Sequence, residues 1–287
     1  MVGVGLLGGS LGMALRQRRL ADEVAGYVRR VASIVECEGA GAVDLATRDL
    51  RRAVEGADLI ILCTPLAQMR PLLEEMLPVL KPGAVVTDVG SVKRSVVREL
   101  EPLAARAGAY FVGSHPMAGS EKTGVRAASG DLFVNAVCIV TPTRSSNAVA
   151  VQTVERLWRS VGGRLLRLSP GAHDELVARS SHLPYVVAAE LANFVLAPGR
   201  PSEQALVCAN GFRDTTRIAS GSPEMWRDIA LANRENLSHG IGAFISELQK
   251  LRRLLDARNA EALAAFFERA KRRRDSWSGK MEALSAK

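Results

Sequence analysis

Gly3-Val4-Gly5-Leu6-Leu7-Gly8 opens the chain, and the helix-like stretch Ser10–Leu20 follows it closely. In such a run the first glycine permits a tight turn and the second lets backbone approach a pyrophosphate. The third lets a helix lie close against a strand. The helix behind it offers unpaired N–H groups to an anion. Alone the pattern is only a turn signal, so the surrounding sequence decides it. Val24–Val28, Leu59–Cys63, Ala84–Val89, Tyr110–Val112, Ala136–Val140 and Arg164–Leu168 read as short buried strands. Between them Leu66–Leu80 and Val92–Ala107 read as helices. That alternation predicts an α/β domain over residues 1–168, a doubly wound parallel sheet covered on both faces.

After Ser169-Pro170-Gly171 the rhythm changes. Apart from breaks at Pro198–Pro201 and Gly221–Pro223, residues 169–287 read as an all-helical domain. Leu237, Ile241, Phe244, Ile245, Leu248, Leu251 and Leu255 keep a helical period over more than four turns, a stripe suited to burial against a second subunit. The chain has 287 residues, 47% hydrophobic and 24% charged, an ordinary globular composition. Its longest apolar segment, Val186–Ala197, is interrupted by Glu190 and Asn193, so no membrane span is expected. The apolar Met1–Leu15 is followed, not preceded, by Arg16, Arg18 and Arg19, which argues against a signal peptide. Cys37, Cys63, Cys138 and Cys208 show no paired spacing, and a reducing cytoplasm is the expected setting. The formal charge is +8, but the basic clusters Arg16/Arg18/Arg19 and Lys271–Arg274 lack interleaved aromatics. They read as solvated faces, not a nucleic-acid surface.

Gly3, Gly5, Leu6, Leu7 and Gly8, with Thr64 and Pro65, form the expected cofactor side. About twenty residues past such glycines an acid ordinarily binds the adenosine ribose. Here the place is held by Val28, then Arg29 and Arg30. Two guanidiniums and no carboxylate favour NADP over NAD, unless both arginines are simply the solvated start of the next helix. Only Met1 and Val2 precede Gly3, leaving almost no central strand, so the natural start is expected upstream of Met1.

The catalytic candidate lies in Gly113-Ser114-His115-Pro116-Met117-Ala118-Gly119-Ser120-Glu121-Lys122-Thr123-Gly124, where His115 sits among small, turn-forming residues after an apolar strand. A histidine there can serve as a base beside a redox cofactor. Further motifs are Gly5-Leu6-Leu7-Gly8-Gly9-Ser10-Leu11, Asp88-Val89-Gly90-Ser91-Val92-Lys93 and Ser181-His182-Leu183-Pro184. Gly211-Phe212-Arg213-Asp214-Thr215-Thr216-Arg217-Ile218-Ala219 leads into Met225-Trp226-Arg227-Asp228-Ile229. In this ordered set, spanning residues 3–229, the chain resembles the prephenate/arogenate dehydrogenase family of tyrosine biosynthesis.

The resemblance implies a Rossmann domain followed by a helical dimerisation domain, a homodimer, and a site between the domains. It implies oxidative decarboxylation of prephenate to 4-hydroxyphenylpyruvate, or of arogenate to tyrosine, with NAD or NADP reduced. By the same resemblance His115 takes the proton of the substrate hydroxyl and Ser91 hydrogen-bonds that hydroxyl. Arg217 binds a substrate carboxylate, Arg213 is a second basic residue, and Ser120 and His182 face the substrate. The residues alone leave other roles open: Ser91 as a helix cap, His182 as a helix brace, Arg217 as a partner of Asp214 or Asp228. His173 beside Asp174 reads as a helix-start pair with a structural role, and Trp226 as core. His115, His173, His182 and His239 have no metal-like spacing, and none is needed, because aromatisation drives loss of carbon dioxide. Tyr185 stands where many relatives have a second histidine, and a phenol takes up no proton near neutrality. Any feedback by tyrosine is expected at the active site, without an appended regulatory or chorismate mutase domain. A β-hydroxyacid or imine reductase would share the glycines and architecture, and so would a catalytically idle nucleotide-binding regulator. The first explains neither Ser-His-Pro-Met-Ala-Gly nor Thr-Arg-Ile-Ala, and the second has no use for both His115 and Arg217.

Overall fold

The computed structural model describes residues 1–120, 122–199 and 201–285. Seven strands are formed among them: β1 (Ala25–Tyr27), β2 (Leu45–Thr47), β3 (Leu59–Leu62), β4 (Val85–Asp88), β5 (Tyr110–Pro116), β6 (Val137–Thr141) and β7 (Arg164–Arg167). β1 pairs with β2, and β3 to β7 lie side by side in sequence order. Val2 joins the two sets, bridging Tyr27 on one side and Leu62 on the other in parallel. Val2 N–H donates to Ile61 O at 2.9 Å, and Cys63 N–H donates to Val2 O at 2.8 Å. Short as it is, the segment before Gly3 takes the middle place of the sheet.

Helices cover both faces: α1 (Leu6–Gln17), α2 (Ala32–Gly39), α3 (Leu50–Val54), α4 (Leu66–Met76), α5 (Arg94–Ala105) and α6 (Ala148–Ser160). α1 begins earlier than Ser10, because Gly5 already occupies its N-cap. Successive strand residues point to opposite faces, and the core divides accordingly. Ile61, Val85 and Val112 join Leu11, Phe133 and Trp158 on one side. Ile60, Val86 and Phe111 join Leu73, Met76 and Leu100 on the other.

Two expectations are corrected. The sheet is not parallel throughout: β5 meets β6 antiparallel, with Gly113 opposite Thr141 and His115 opposite Ile139. A parallel return needs a crossover of a dozen or more residues, usually helical. Only a short 3-10 turn, Val125–Ala127, is found between β5 and β6 among the described residues. β5 also continues through the histidine motif, which was expected to be a turn. Its parallel ladder to β4 ends at Val112, and the antiparallel ladder to β6 takes over at Gly113.

The remainder is helical, as expected: α7 (Pro170–Val177), α8 (Leu183–Val195), α9 (Ser202–Leu206), α10 (Asn210–Thr216), α11 (Pro223–Ala232), α12 (Arg234–Asp256) and α13 (Ala260–Ser285). A π-helical segment, Ala178–His182, connects α7 to α8. Two compact units result, Met1–Arg234 and the residues from Glu235 onward. α7 packs on α5 and α11 on α4, so these helices group with the sheet. No helix among the described residues is long and apolar enough to cross a membrane.

Candidate active site

At the N-terminal end of α1 the glycines act as the sequence predicts. Gly3 has φ +94°, and a Cβ on Gly8 would stand 2.1 Å from Gly3 O, so the turn closes only without side chains. A Cβ on Gly5 would meet nothing within 4 Å, which leaves open space over the helix end. No side chain caps α1, so its first N–H groups face that space unpaired. Beside Gly3 the Thr64 hydroxyl is buried without a hydrogen-bond partner. Unpaired donors, room above them and an orphaned hydroxyl fit a dinucleotide pyrophosphate. Pro65 is the N-cap of α4. Arg29 and Arg30 are exposed past the end of β1. Arg48, exposed just past β2, donates Nε to Arg29 O at 3.2 Å and adds a third guanidinium that the sequence reading did not single out.

His115 stands near the end of β5, 8% exposed. Its backbone is fixed by the residue before it. Ser114 N–H donates to Asp88 Oδ1 at 3.1 Å, Ser114 Oγ donates to Asp88 O at 2.7 Å, and Lys93 Nζ donates to Ser114 O at 2.9 Å. Lys93 and Asp88 form an ion pair with both side chains fully buried. Gly113 makes this possible, since a Cβ there would lie 2.7 Å from Val97 Cγ2 and 3.4 Å from Lys93 Cδ. The motif Asp88–Lys93 is therefore a clamp on the strand that carries His115. Burial lowers the Lys93 ammonium pKa, and Asp88 opposes the shift.

The His115 ring meets His173: Nδ1 lies 2.9 Å from His173 Nε2, with ring planes at 64°. His173 Nδ1 lies 2.7 Å from Asp174 Oδ1. Asp174 accepts two backbone N–H groups at the start of α5, from Lys93 at 2.7 Å and Arg94 at 2.9 Å. Burial pushes His115 well below the usual histidine range, and His173, Lys93 and His182 push the same way. His173 is lowered too, chiefly by burial and against the pull of Asp174. Both shifts favour the neutral imidazole, the form that carries a lone pair for a substrate proton.

Asn233, just after α11, ties in the other side. Its Nδ2 donates to Asp174 O at 2.8 Å, which fixes that atom as the amide nitrogen, and it lies 3.2 Å from His182 Nδ1. Nδ1 of His182 is thus the acceptor, and in the neutral ring the hydrogen sits on Nε2. That Nε2 is buried, with the Ser91 backbone beside the ring. Burial pulls the His182 pKa down to about 4. Trp226 turns an edge to His182 and stacks on Tyr185 with ring centres 3.6 Å apart, so it borders the cluster.

The structure thus brings His115 and His182 into one cluster. Ser91, half-buried past the end of β4, has its backbone beside His182. Arg217 opens a 3-10 helix, Arg217–Ser220, that packs on α8 directly after His182. Arg213 on α10 and Ser120 are exposed, and neither hydrogen-bonds the cluster among the described residues; Ser120 Oγ accepts from Lys122 N–H. Sequence reasoning missed the roles of Asp88, Lys93, Asp174 and Asn233, and gave His173 only a helix-start role. The adjacency of His173 and Asp174, and the pairing of Asp88 with Lys93 around Gly90-Ser91, were the available signals.

The comparisons agree with this geometry. A family model for the prephenate dehydrogenase nucleotide-binding domain matches residues 11–167, and one for the dimerization domain of the same enzymes matches residues 169–269. A prephenate dehydrogenase of Bacillus subtilis is 35% identical over 96% of this chain and 74% of its own length. A cyclohexadienyl dehydrogenase of Zymomonas mobilis is 32% identical, over 96% of this chain and 94% of that one. The crystal structure of prephenate dehydrogenase from A. aeolicus, in complex with hydroxyphenyl propionate and NAD+, superposes with a TM-score of 0.90 at 33% identity, covering 96% of each chain. The chain belongs to the prephenate dehydrogenase family and is an NAD(P)-dependent oxidoreductase.

Proposed function

We propose that the chain oxidatively decarboxylates prephenate, with arogenate as the alternative substrate, in tyrosine biosynthesis. The observation that carries this reading is His115: a buried imidazole near the end of β5, hydrogen-bonded to His173 and on the same sheet as the glycine turn. In this reading His115 accepts the proton of the ring hydroxyl, and Ser91 hydrogen-bonds that hydroxyl. Arg217 holds a substrate carboxylate, with Arg213 as a second cation, and Ser120 also contacts substrate. His182 faces the substrate from the same cluster. Bound nicotinamide supplies the hydride acceptor. Loss of carbon dioxide then aromatises the ring, and the proton borrowed by His115 returns to the phenolate oxygen.

Gly3, Gly5, Leu6, Leu7, Gly8, Thr64 and Pro65 are assigned to the dinucleotide. Arg29 and Arg30, with Arg48 beside them, favour the 2′-phosphate of NADP; none of the three has an ion-pair partner within 4 Å among the described residues. The division at residue 168 into a cofactor domain and a substrate and dimerisation domain is supported by where the two family models meet. Homodimerisation through the helical part is supported by apolar side chains exposed along α12 and α13: Phe244, Ile245, Leu248, Leu255, Phe267 and Trp277. Four free cysteines suit a reducing cytoplasm.

The test combines the purified chain with prephenate or arogenate and with NAD or NADP, and follows the absorbance of reduced nicotinamide. The expected result is turnover with prephenate, faster with NADP. Absence of reduction in all four mixtures removes the assignment.

A further inference from the structure

His173 and Asp174 lie outside the set assigned above to substrate and cofactor, yet they form the direct support of His115. The hydrogen positions follow by elimination. Asp174 accepts two backbone N–H groups at the positive end of α5, and a carboxylate only accepts. His173 Nδ1, 2.7 Å from Oδ1, must therefore donate. In a neutral His173 the lone pair is then on Nε2. His115 Nδ1, 2.9 Å from that lone pair, must donate in turn. His115 is left with Nδ1–H toward His173 and a bare Nε2 on the other side of the ring.

We propose that the His173–Asp174 pair is a positioning device that fixes His115 in the one tautomer able to act as base through Nε2. The proposal rests on the reading of His115 as that base. As the substrate O–H bond breaks and the Nε2–H bond forms, the electron pair left on oxygen closes the carbonyl while hydride departs to the nicotinamide. The imidazolium so formed keeps its Nδ1–H on His173, whose own Nδ1–H is anchored on Asp174. Asp174 thus stabilises the positive charge through His173. The charged and titratable groups facing this pair of rings are Lys93, Asp88, Asp174 and His182. Lys93 opposes protonation of both rings, and Asp174 is the counterweight nearest to His173. Asn233 extends the same logic, since it grips Asp174 O and His182 Nδ1 together and points the His182 hydrogen onto Nε2.

The experiment is a nitrogen-15 spectrum of the histidine-labelled full chain at neutral pH, with His115 assigned by loss of its signals in His115→Asn. The expected result is a protonated Nδ1 and a bare Nε2 on His115. A His115 protonated at Nε2 overturns the proposal. His173→Phe keeps a ring in place but removes the acceptor, so His115 should populate both tautomers. Its kcat should fall by roughly 10- to 100-fold, with KM and NAD(P)H binding within about twofold. Asp174→Asn, which keeps the shape of the group, should lower kcat in the same direction. Unchanged spectrum and turnover in both variants overturn the device while leaving the base intact. Should His173→Phe fail to fold, the wild-type spectrum decides alone. Normal turnover in His115→Asn removes the base reading instead, and leaves the tautomer assignment standing.

Discussion

The glycine turn at residues 3–8 and the cluster around His115 belong to one sheet and are made of opposite materials. The turn offers backbone donors and empty space, and the buried Thr64 hydroxyl beside it is unpaired. The cluster offers side chains packed away from water, nearly all of them paired: Asp88 with Lys93, His115 with His173, His173 with Asp174, Asn233 with Asp174 and His182. A site made of backbone tolerates many substitutions and fails only where a Cβ collides. A dry side-chain network fails when any one partner is removed, because the group left behind has nothing to replace it. The two regions should therefore respond to mutation in different currencies, binding for the first and turnover or stability for the second.

The largest effect is expected at the chemical end of the cluster. His115→Asn should lower kcat by about 10²- to 10⁴-fold with the thermal melt preserved. NAD(P)H affinity, read by fluorescence titration, should hold, since no hydrogen bond links His115 to the glycine turn among the described residues. A parallel loss of cofactor affinity would show that the two regions are not separate.

Next comes Lys93→Met, which strands the Asp88 carboxylate in a buried place. Removing one partner of a buried pair costs about 3–5 kcal/mol, measurable as a lowered urea midpoint, and Asp88→Asn added to it should recover much of the loss. Gly5→Ala is the matched change in the turn. Its new methyl meets nothing within 4 Å, so stability should change by less than about 0.5 kcal/mol while dinucleotide affinity falls. If Gly5→Ala destabilises as much as Lys93→Met, the contrast between the regions is lost.

This contrast also explains what could be read from the sequence. The glycine turn is local: six consecutive residues specify a turn, a helix start and the room above it, so that geometry was legible from the sequence alone. The strands β3 to β7 were legible as apolar runs. β1 was found as well, but β2 (Leu45–Thr47) lies among charged neighbours and has no run to announce it. The antiparallel step at β6 was not legible, because apolar residues do not record strand direction. His115, Ser91 and His182 were named through the family resemblance. Their supports were not, because Asp174 reaches Lys93 across 81 residues and Asn233 reaches His182 across 51, and no spacing rule spans such gaps. His173 does stand in the first turn of α7 beside Asp174, as the sequence suggested, and only the fold also brings it to His115.

Acid should loosen the cluster before the turn. His182 titrates at about 4 in the folded chain against 6.5 for an ordinary histidine, and His115 and His173 are lowered as well. Below 6.5 the unfolded chain binds protons that the folded chain refuses. Stability is therefore full above that pH and is lost as pH falls toward 4, with His182 alone contributing on the order of 3 kcal/mol. Denaturant melts across this range check the sign. A midpoint that stays level would mean that the histidines are not buried neutral.

The smallest effect, and the finest test of the turn region, concerns the arginines past β1. Arg29 and Arg30 are exposed, and neither has a role in the core, so replacing both by alanine should leave the melt within about 0.5 kcal/mol. If they bind the 2′-phosphate, KM for NADP should rise about tenfold while KM for NAD stays level, because the charge-assisted bonds lost exist only with the phosphorylated cofactor. Arg48→Ala should add a further, smaller rise, since its Nε is already engaged by Arg29 O and only the rest of its guanidinium is available. Equal changes for the two cofactors would reassign the arginines to a general basic field around the glycine turn. Higher salt would then weaken both cofactors alike, whereas a specific phosphate contact would keep the preference for NADP.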